Sequence, residues 1–251
     1  VKKINLFVKI SFFIVLGFAC HVRAERVAMC VMATGKYLPY AENLIESARK
    51  YFCTDHDVIF FLFTDGVVKQ KKEDILDFYQ DRLGWPHDTL MRFHVYYNQC
   101  ELLKKFDYVF ACDADMLLVA PVGSEILSDR VATMHPGFVG RRGTYESKNL
   151  NSYAYMDKNE GEHYFAGGFY GGCSEEFLRL LEFCILGVDA DLESEYIAVW
   201  HDESHLNRFF WEHKPTLVLS PSYCHPESWN LPYKKRLIAL DKNHAAMRFN
   251  S

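Results

Sequence analysis

The first half of the chain alternates two periodicities, and this alternation restricts the fold more than any other feature. Residues 27–33, 57–63 and 107–112 are short apolar runs, the second closed by Thr64-Asp65-Gly66. Runs of this length and composition read as strands buried on both faces. Residues 41–52 place Leu44, Ile45, Ala48, Tyr51 and Phe52 at helical spacing, and residues 90–105 read as a second helix. The polar stretch 69–77 reads as a solvated helix or loop. Strand alternating with helix predicts an α/β sheet of parallel strands. Ligands on such sheets bind beyond the carboxyl ends of the strands.

The second half is less regular. Residues 140–161 are polar and aperiodic, which predicts a long loop of the kind that is often functional. Residues 175–186 and 203–213 read as helices, and 216–219 and 237–240 as short strands. No repeat or low-complexity linker divides the 251 residues, so one domain over 25–251 is expected. Ahead of it, Lys2 and Lys3 precede an apolar run of 11 residues from Ile10 to Cys20, and Val22-Arg23-Ala24 follows. Residues 1–24 therefore read as a signal peptide or a short signal anchor, implying export or membrane association.

Composition excludes several classes. With 49% hydrophobic and 24% charged residues the chain is neither disordered nor collagenous. A net charge of −5 argues against a nucleic-acid partner held by bulk positive charge. The 16% aromatic content fits a broad sheet core, or a sugar-stacking surface. The eight cysteines contain no CxxC pair, and Cys30 and Cys112 fall inside strand runs. Free buried thiols are expected, with a bridge among Cys173, Cys184 and Cys224 as the alternative.

Three clusters carry chemistry. Asp113-Ala114-Asp115 follows a strand run. Two carboxylates at i and i+2 point to opposite faces of a strand, but a bend at the strand end lets both reach one hard cation such as Mn²⁺ or Mg²⁺. Such a cation offsets the charge of a departing diphosphate. Phosphatases that open on a similar Asp pair place it near the domain start, whereas two strands precede it here. The bland alternative is a pair of solvated turn residues. In Trp200-His201-Asp202-Glu203-Ser204-His205 the histidines have i, i+4 zinc spacing, but Asp202 stands where the metalloprotease motif requires Glu. Glu203 at a helix start is instead expected to project into a cleft, its anion favoured by the helix N-terminus. The alternative is an acidic first turn that only caps the helix. Residues 164–172, Tyr-Phe-Ala-Gly-Gly-Phe-Tyr-Gly-Gly, let backbone approach a bulky ligand, or form a bulged, packed strand.

Taken with Phe63-Thr64-Asp65, His135-Pro136-Gly137-Phe138, Leu206-Asn207, His213-Lys214-Pro215-Thr216, Leu219-Ser220-Pro221 and Lys242-Asn243-His244, these blocks resemble glycosyltransferase family 6. That family includes the histo-blood-group A and B transferases. The resemblance runs from about residue 27 to the C-terminus and suggests a compact member of bacterial or viral type. It implies a GT-A fold, a Rossmann-like mixed sheet flanked by helices. It also implies retaining transfer of Gal or GalNAc from a UDP-sugar to the 3-OH of a galactose-terminated glycan.

The resemblance also implies residue roles. Met32, Ala33, Thr34 and Tyr37 match the uridine segment, and Arg92 an arginine near the donor sugar and diphosphate. Asp113 and Asp115 match the Mn²⁺ pair, with Ala114 replacing the usual Val; since both aspartates are kept, metal dependence is expected. His135, Thr144 and Trp200 match acceptor positions. Glu203 matches the proposed nucleophile, facing the acceptor, and Asp202 a donor-sugar contact. Lys242 and Arg248 match a C-terminal tail that closes over the diphosphate. In Ala166-Gly167-Gly168 the third glycine leaves room for an N-acetyl group, so UDP-GalNAc is expected over UDP-Gal. The family's acceptor-contacting Asp falls at Pro226, and the neighbouring Glu227 is expected to substitute; an α-1,2-fucosylated acceptor is the family's expectation. The rival readings are a metal-dependent hydrolase and a sugar-binding relative without turnover. A Golgi-type lumen and a cytoplasmic membrane face both remain open.

Overall fold

The computed structural model describes residues 24–69 and 72–248. Residues 1–23, which carry most of the expected leader, lie outside these. The first strand, β1 (Arg26–Met32), is followed by α1 (Leu38–Tyr51), β2 (Asp57–Thr64) and β3 (Ile75–Tyr79). Three short helices come next, α2 (His87–Leu90), α3 (Arg92–Tyr97) and α4 (Cys100–Leu103). Then follow β4 (Tyr108–Cys112), β5 (Met116–Leu118), β6 (Arg130–Met134) and β7 (Phe165–Cys173). The chain continues through α5 (Ser174–Glu193), α6 (Asp202–Glu212), β8 (Leu217–Leu219), β9 (His225–Pro226), β10 (Leu237–Ala239) and α7 (His244–Arg248).

Seven strands form one sheet in the order β3-β2-β1-β4-β7-β6-β8. The first four are parallel, as their alternation with helices requires. β7 runs antiparallel to both β4 and β6, so the sheet is mixed rather than wholly parallel. A small sheet, β5-β10-β9, lies beside it. The central strand β1 is buried on both faces. Val27, Met29 and Val31 pack with α1 on one face, and Ala28 and Cys30 pack with α3, α5 and α6 on the other. The period-2 alternation of side chains thus divides one apolar run between two cores.

Two sequence expectations need correction. Residues 90–105 form three helices, because the backbone leaves helical geometry at Met91 and Gln99. The tail of the polar stretch 69–77 belongs to an edge strand, β3, in which only Ile75 is buried. The strand β6 carries no clear apolar signal, because Arg130 and Thr133 interrupt its short pattern. The cysteines at 173, 184 and 224 are free, as expected, and form no bridge. The glycine-rich run is a fully packed strand, and Gly171 has a steric reason. A Cβ there would run into the Val109 carbonyl and Phe110 of β4. Among the described residues no helix is long and apolar enough to cross a membrane.

Candidate active site

β1 pairs with β2 on one side and β4 on the other, so strand succession changes direction between β1 and β4. Their carboxyl ends splay apart into the crevice that such a switch point creates. A cleft of about 700 Å³, measured to its open mouth, occupies this place. Met32, Thr34, Tyr37, Arg92, Asp113, Ala114, Asp115 and Lys242 all line it. Ala33 does not line it: it is fully buried, and its N–H donates to the Phe63 carbonyl at 2.8 Å. The turn after β1 is held by Asp65, whose carboxylate accepts from Gly35 N–H at 2.7 Å, with Gly35 at φ +59°.

The bend expected at the end of β4 is present. Asp113 N–H donates to Gly168 O at 3.0 Å, tying the turn to β7, and Met116 N–H returns to Asp113 O at 3.1 Å. Ala114 points inward, and both aspartates face the cleft. Asp113 receives Arg92 Nη1 at 2.7 Å, and Asp115 pairs with Lys242 Nζ. Lys242 also lies 5.4 Å from the Tyr37 ring centre. Among the described residues no third acidic, His or Cys side chain joins a metal-ligating group. Two carboxylates fit a hard divalent cation that completes its shell with phosphate oxygens and water. That Asp115 already gathers a cationic group supports the fit.

Arg92 is the electrostatic hub. Its side chain is 8% exposed, and its Nε lies 3.2 Å from Asp202 Oδ2 while Nη1 reaches Asp113. Nη1 also donates to Gly167 O at 3.3 Å. Burial opposes its charge, but Asp113 and Asp202 more than offset this and hold the guanidinium protonated. Asp202 is pushed up to about 6, by burial first and against the pull of Arg92. Glu203, beside it in the first turn of α6, accepts from Gly167 N–H at 2.8 Å. The helix start does not dominate here. Burial pushes Glu203 up to about 7, although the Gly167 N–H and the Tyr164 hydroxyl favour its anion. The residue ahead of α6, His201, has φ 50° and ψ −121°, a conformation uncommon for any residue with a Cβ. Its ring meets Trp85 edge-on at 4.9 Å. His205 is buried beside Asp191, so the two histidines do not form a zinc site.

Of the residues expected on the acceptor side, His135 packs against Tyr164 at the start of β7 and Trp200 lies just ahead of α6, whereas Glu227 lies beside the small sheet. His135 N–H donates to Tyr164 O at 2.9 Å, and the two rings are 5.7 Å apart. His135 Nδ1 accepts from Gly137 N–H at 3.0 Å, which leaves Nε2 to carry the ring proton. Burial, with help from Arg141, lowers its pKa to about 4, so the ring is neutral. Trp200 is 47% exposed at the head of α6, and Thr144 is exposed on the long loop. Glu227 is exposed, and its carboxylate accepts from Asp241 N–H at 2.9 Å. Ala166 is buried in the hydrophobic core and does not line the cleft. Arg248 ends α7. Beyond the expected residues the cleft takes in Arg82, Trp85, Asp88, Thr89 and Met247. Asp88 accepts from the Thr34 hydroxyl at 3.3 Å and from Leu83 N–H at 2.8 Å. A polar Asp-Thr pair opening a helix was the available signal for it.

The geometry can be set beside known proteins. The model of glycosyltransferase family 6 matches residues 19–249. The rat histo-blood group ABO system transferase 1 is 35% identical over 239 residues, covering 88% of this chain and 68% of the relative. The human globoside α-1,3-N-acetylgalactosaminyltransferase 1 is 30% identical over 240 residues, with 88% and 68% covered. The Escherichia coli O-antigen biosynthesis glycosyltransferase WbnI is 28% identical over 217 residues, covering 84% of this chain and 92% of the relative. The mixed seven-stranded sheet has the form of a GT-A-like fold. A match over this span, on a sheet whose switch point carries the paired aspartates, places the chain in glycosyltransferase family 6.

Proposed function

We propose that the protein is a retaining α-1,3-glycosyltransferase that moves GalNAc, in preference to Gal, from a UDP-sugar to the 3-OH of a galactose-terminated, α-1,2-fucosylated glycan. The observation that carries this reading is the Arg92 hub. One buried guanidinium joins Asp113, on the diphosphate side, to Asp202, beside Glu203. The two ends of a nucleotide-sugar therefore meet one preorganised charge network. Related transferases that bear the names of α-1,3-GalNAc transfer and of O-antigen synthesis support the reaction class.

In this reading Met32, Thr34 and Tyr37 take the uridine. Asp113 and Asp115 would hold a divalent cation, whose chemistry is to offset diphosphate charge. Lys242 and Arg248 add positive charge to the same group. As the bond from the anomeric carbon to UDP breaks, its electron pair leaves on the phosphate oxygen. Glu203, in its ionised form, stabilises the positive charge left on the sugar, and the acceptor O3 bonds to the anomeric carbon as its proton passes to the departing UDP phosphate. His135 donates from Nε2 to the acceptor, while Thr144, Trp200 and Glu227 orient it. The N-acetyl group is assigned to the backbone at Gly168, which carries no Cβ beside Asp113.

The test is the product itself. Incubation with UDP-GalNAc and α-1,2-fucosyl-galactose is expected to give GalNAc in α linkage to O3, read from the anomeric coupling and NOE pattern. A β-linked product would refute retention, and equal kcat/KM for UDP-Gal would remove the donor preference.

A further inference from the structure

Glu146 is fully buried, yet it belongs to none of the residue sets above. It lies on the long loop that connects β6 to β7. Its carboxylate accepts four hydrogen bonds. Oε1 takes Lys148 N–H at 2.7 Å and Asn149 N–H at 3.3 Å. Oε2 takes the Tyr196 hydroxyl and Val199 N–H, both at 2.8 Å. All four donors are neutral. Burial pushes its pKa up, but these hydrogen bonds more than offset this and hold it below the ordinary carboxylate value. The group is therefore a buried anion with its lone pairs satisfied, a costly arrangement to keep without a purpose.

Its partners lie on two segments, 148–149 and 196–199, which the carboxylate ties together. On one side Glu146 stands two residues after Thr144. On the other, Val199 directly precedes Trp200, whose N–H caps back onto Ser204 Oγ at 3.0 Å and whose carbonyl accepts from Glu203 N–H at 3.0 Å. The loop has a separate anchor. Asp191 of α5 accepts from Ser152 Oγ at 2.6 Å and Tyr153 N–H at 2.8 Å. Loss of the Glu146 bonds therefore leaves the loop attached but frees the spacing between Thr144 and Trp200. None of the donor-side residues, Met32, Thr34, Arg92, Asp113 or Asp115, touches this network.

We propose that Glu146 is the positioning residue of the acceptor site: its carboxylate fixes the Thr144 loop against the Trp200 turn and so sets where the acceptor lies relative to Glu203. This rests on the acceptor reading given under Proposed function. The test compares full-length wild type with Glu146→Gln, which turns an amide N–H₂ toward N–H donors, and with Tyr196→Phe, which removes one donor only. KM and kcat are measured for α-1,2-fucosyl-galactose and for UDP-GalNAc, along with acceptor-free hydrolysis of UDP-GalNAc and Tm. In Glu146→Gln the acceptor KM is expected to rise roughly tenfold, and in Tyr196→Phe about threefold. Donor KM and hydrolysis stay within about twofold of wild type in both. If hydrolysis falls in step with transfer, the role is structural and the inference is overturned. An unchanged acceptor KM in Tyr196→Phe overturns it as well, even where Glu146→Gln fails to fold. Wild type that hydrolyses donor but transfers to no acceptor would overturn the acceptor reading first, and this inference with it.

Discussion

Glu203 is where two physical effects oppose one another. It stands in the first turn of α6, where unpaired N–H groups favour an anion. Burial nevertheless raises it from the ordinary 4.5 to about 7. If the ionised form assists departure of UDP, kcat/KM should fall about tenfold per pH unit below roughly 7. A profile flat from pH 5 to 8 would count against Glu203 as the stabilising anion. The same shift acts on stability, with a definite sign. The folded state binds this proton more tightly than the unfolded chain between about 4.5 and 7. Its stabilising contribution is complete below that window and is lost as pH rises through it. Glu203→Gln should therefore be more stable than wild type at pH 8, by up to about 3 kcal/mol, and not at pH 4. Urea denaturation at the two pH values measures this, and an equal effect at both would mean that burial does not shift the group.

At the scale of elements, β7 carries packing and, under the proposed function, donor selectivity. A Cβ on Gly168 would sit 3.1 Å from Cys224 Sγ, 3.6 Å from Met116 Sδ and 3.8 Å from Asp113 Oδ2. Gly168→Ala is expected to lower kcat/KM for UDP-GalNAc by roughly tenfold or more while sparing UDP-Gal, since one methyl in a closed pocket is worth about 1–3 kcal/mol. Equal loss for both donors would assign Gly168 to packing against Cys224 alone. Strands β1, β2 and β4 and the paired aspartates were legible in the sequence because local pattern determines them: apolar runs, turn residues, and carboxylates just past a strand. Asp113, Asp115, Arg92, Thr34 and Lys242 meet in one cleft as their motifs imply. Other features depend on contacts distant in sequence. Glu146 looks like any loop glutamate until Tyr196 and Val199, some fifty residues on, close over it. The helix at 90–105 had the right periodicity, but local propensity does not reveal the two breaks that divide it. The raised Glu203 pKa was illegible for a similar reason: the helix start is local, and the burial that outweighs it is tertiary.

At the scale of the whole molecule the cleft joins two halves, to which the proposed function gives separate tasks. In that reading the parallel half, β1 to β4, supplies the nucleotide side, and β6, β7, the long loop and α6 supply the sugar and acceptor side. Arg92 crosses between them, reaching Asp113 in one half and Gly167 and Asp202 in the other. Chemistry that needs both halves should require a nucleotide-sugar, an acceptor and a divalent cation together. The most direct measurement is UDP release by the protein with UDP-GalNAc, with and without α-1,2-fucosyl-galactose, in Mn²⁺ or in EDTA. The account predicts fast release only with acceptor and Mn²⁺ present, and loss of at least about a hundredfold in EDTA. Release that is indifferent to acceptor would mark a hydrolase, and a folded protein that binds UDP but releases none would mark a sugar-binding relative; either result would contradict the account.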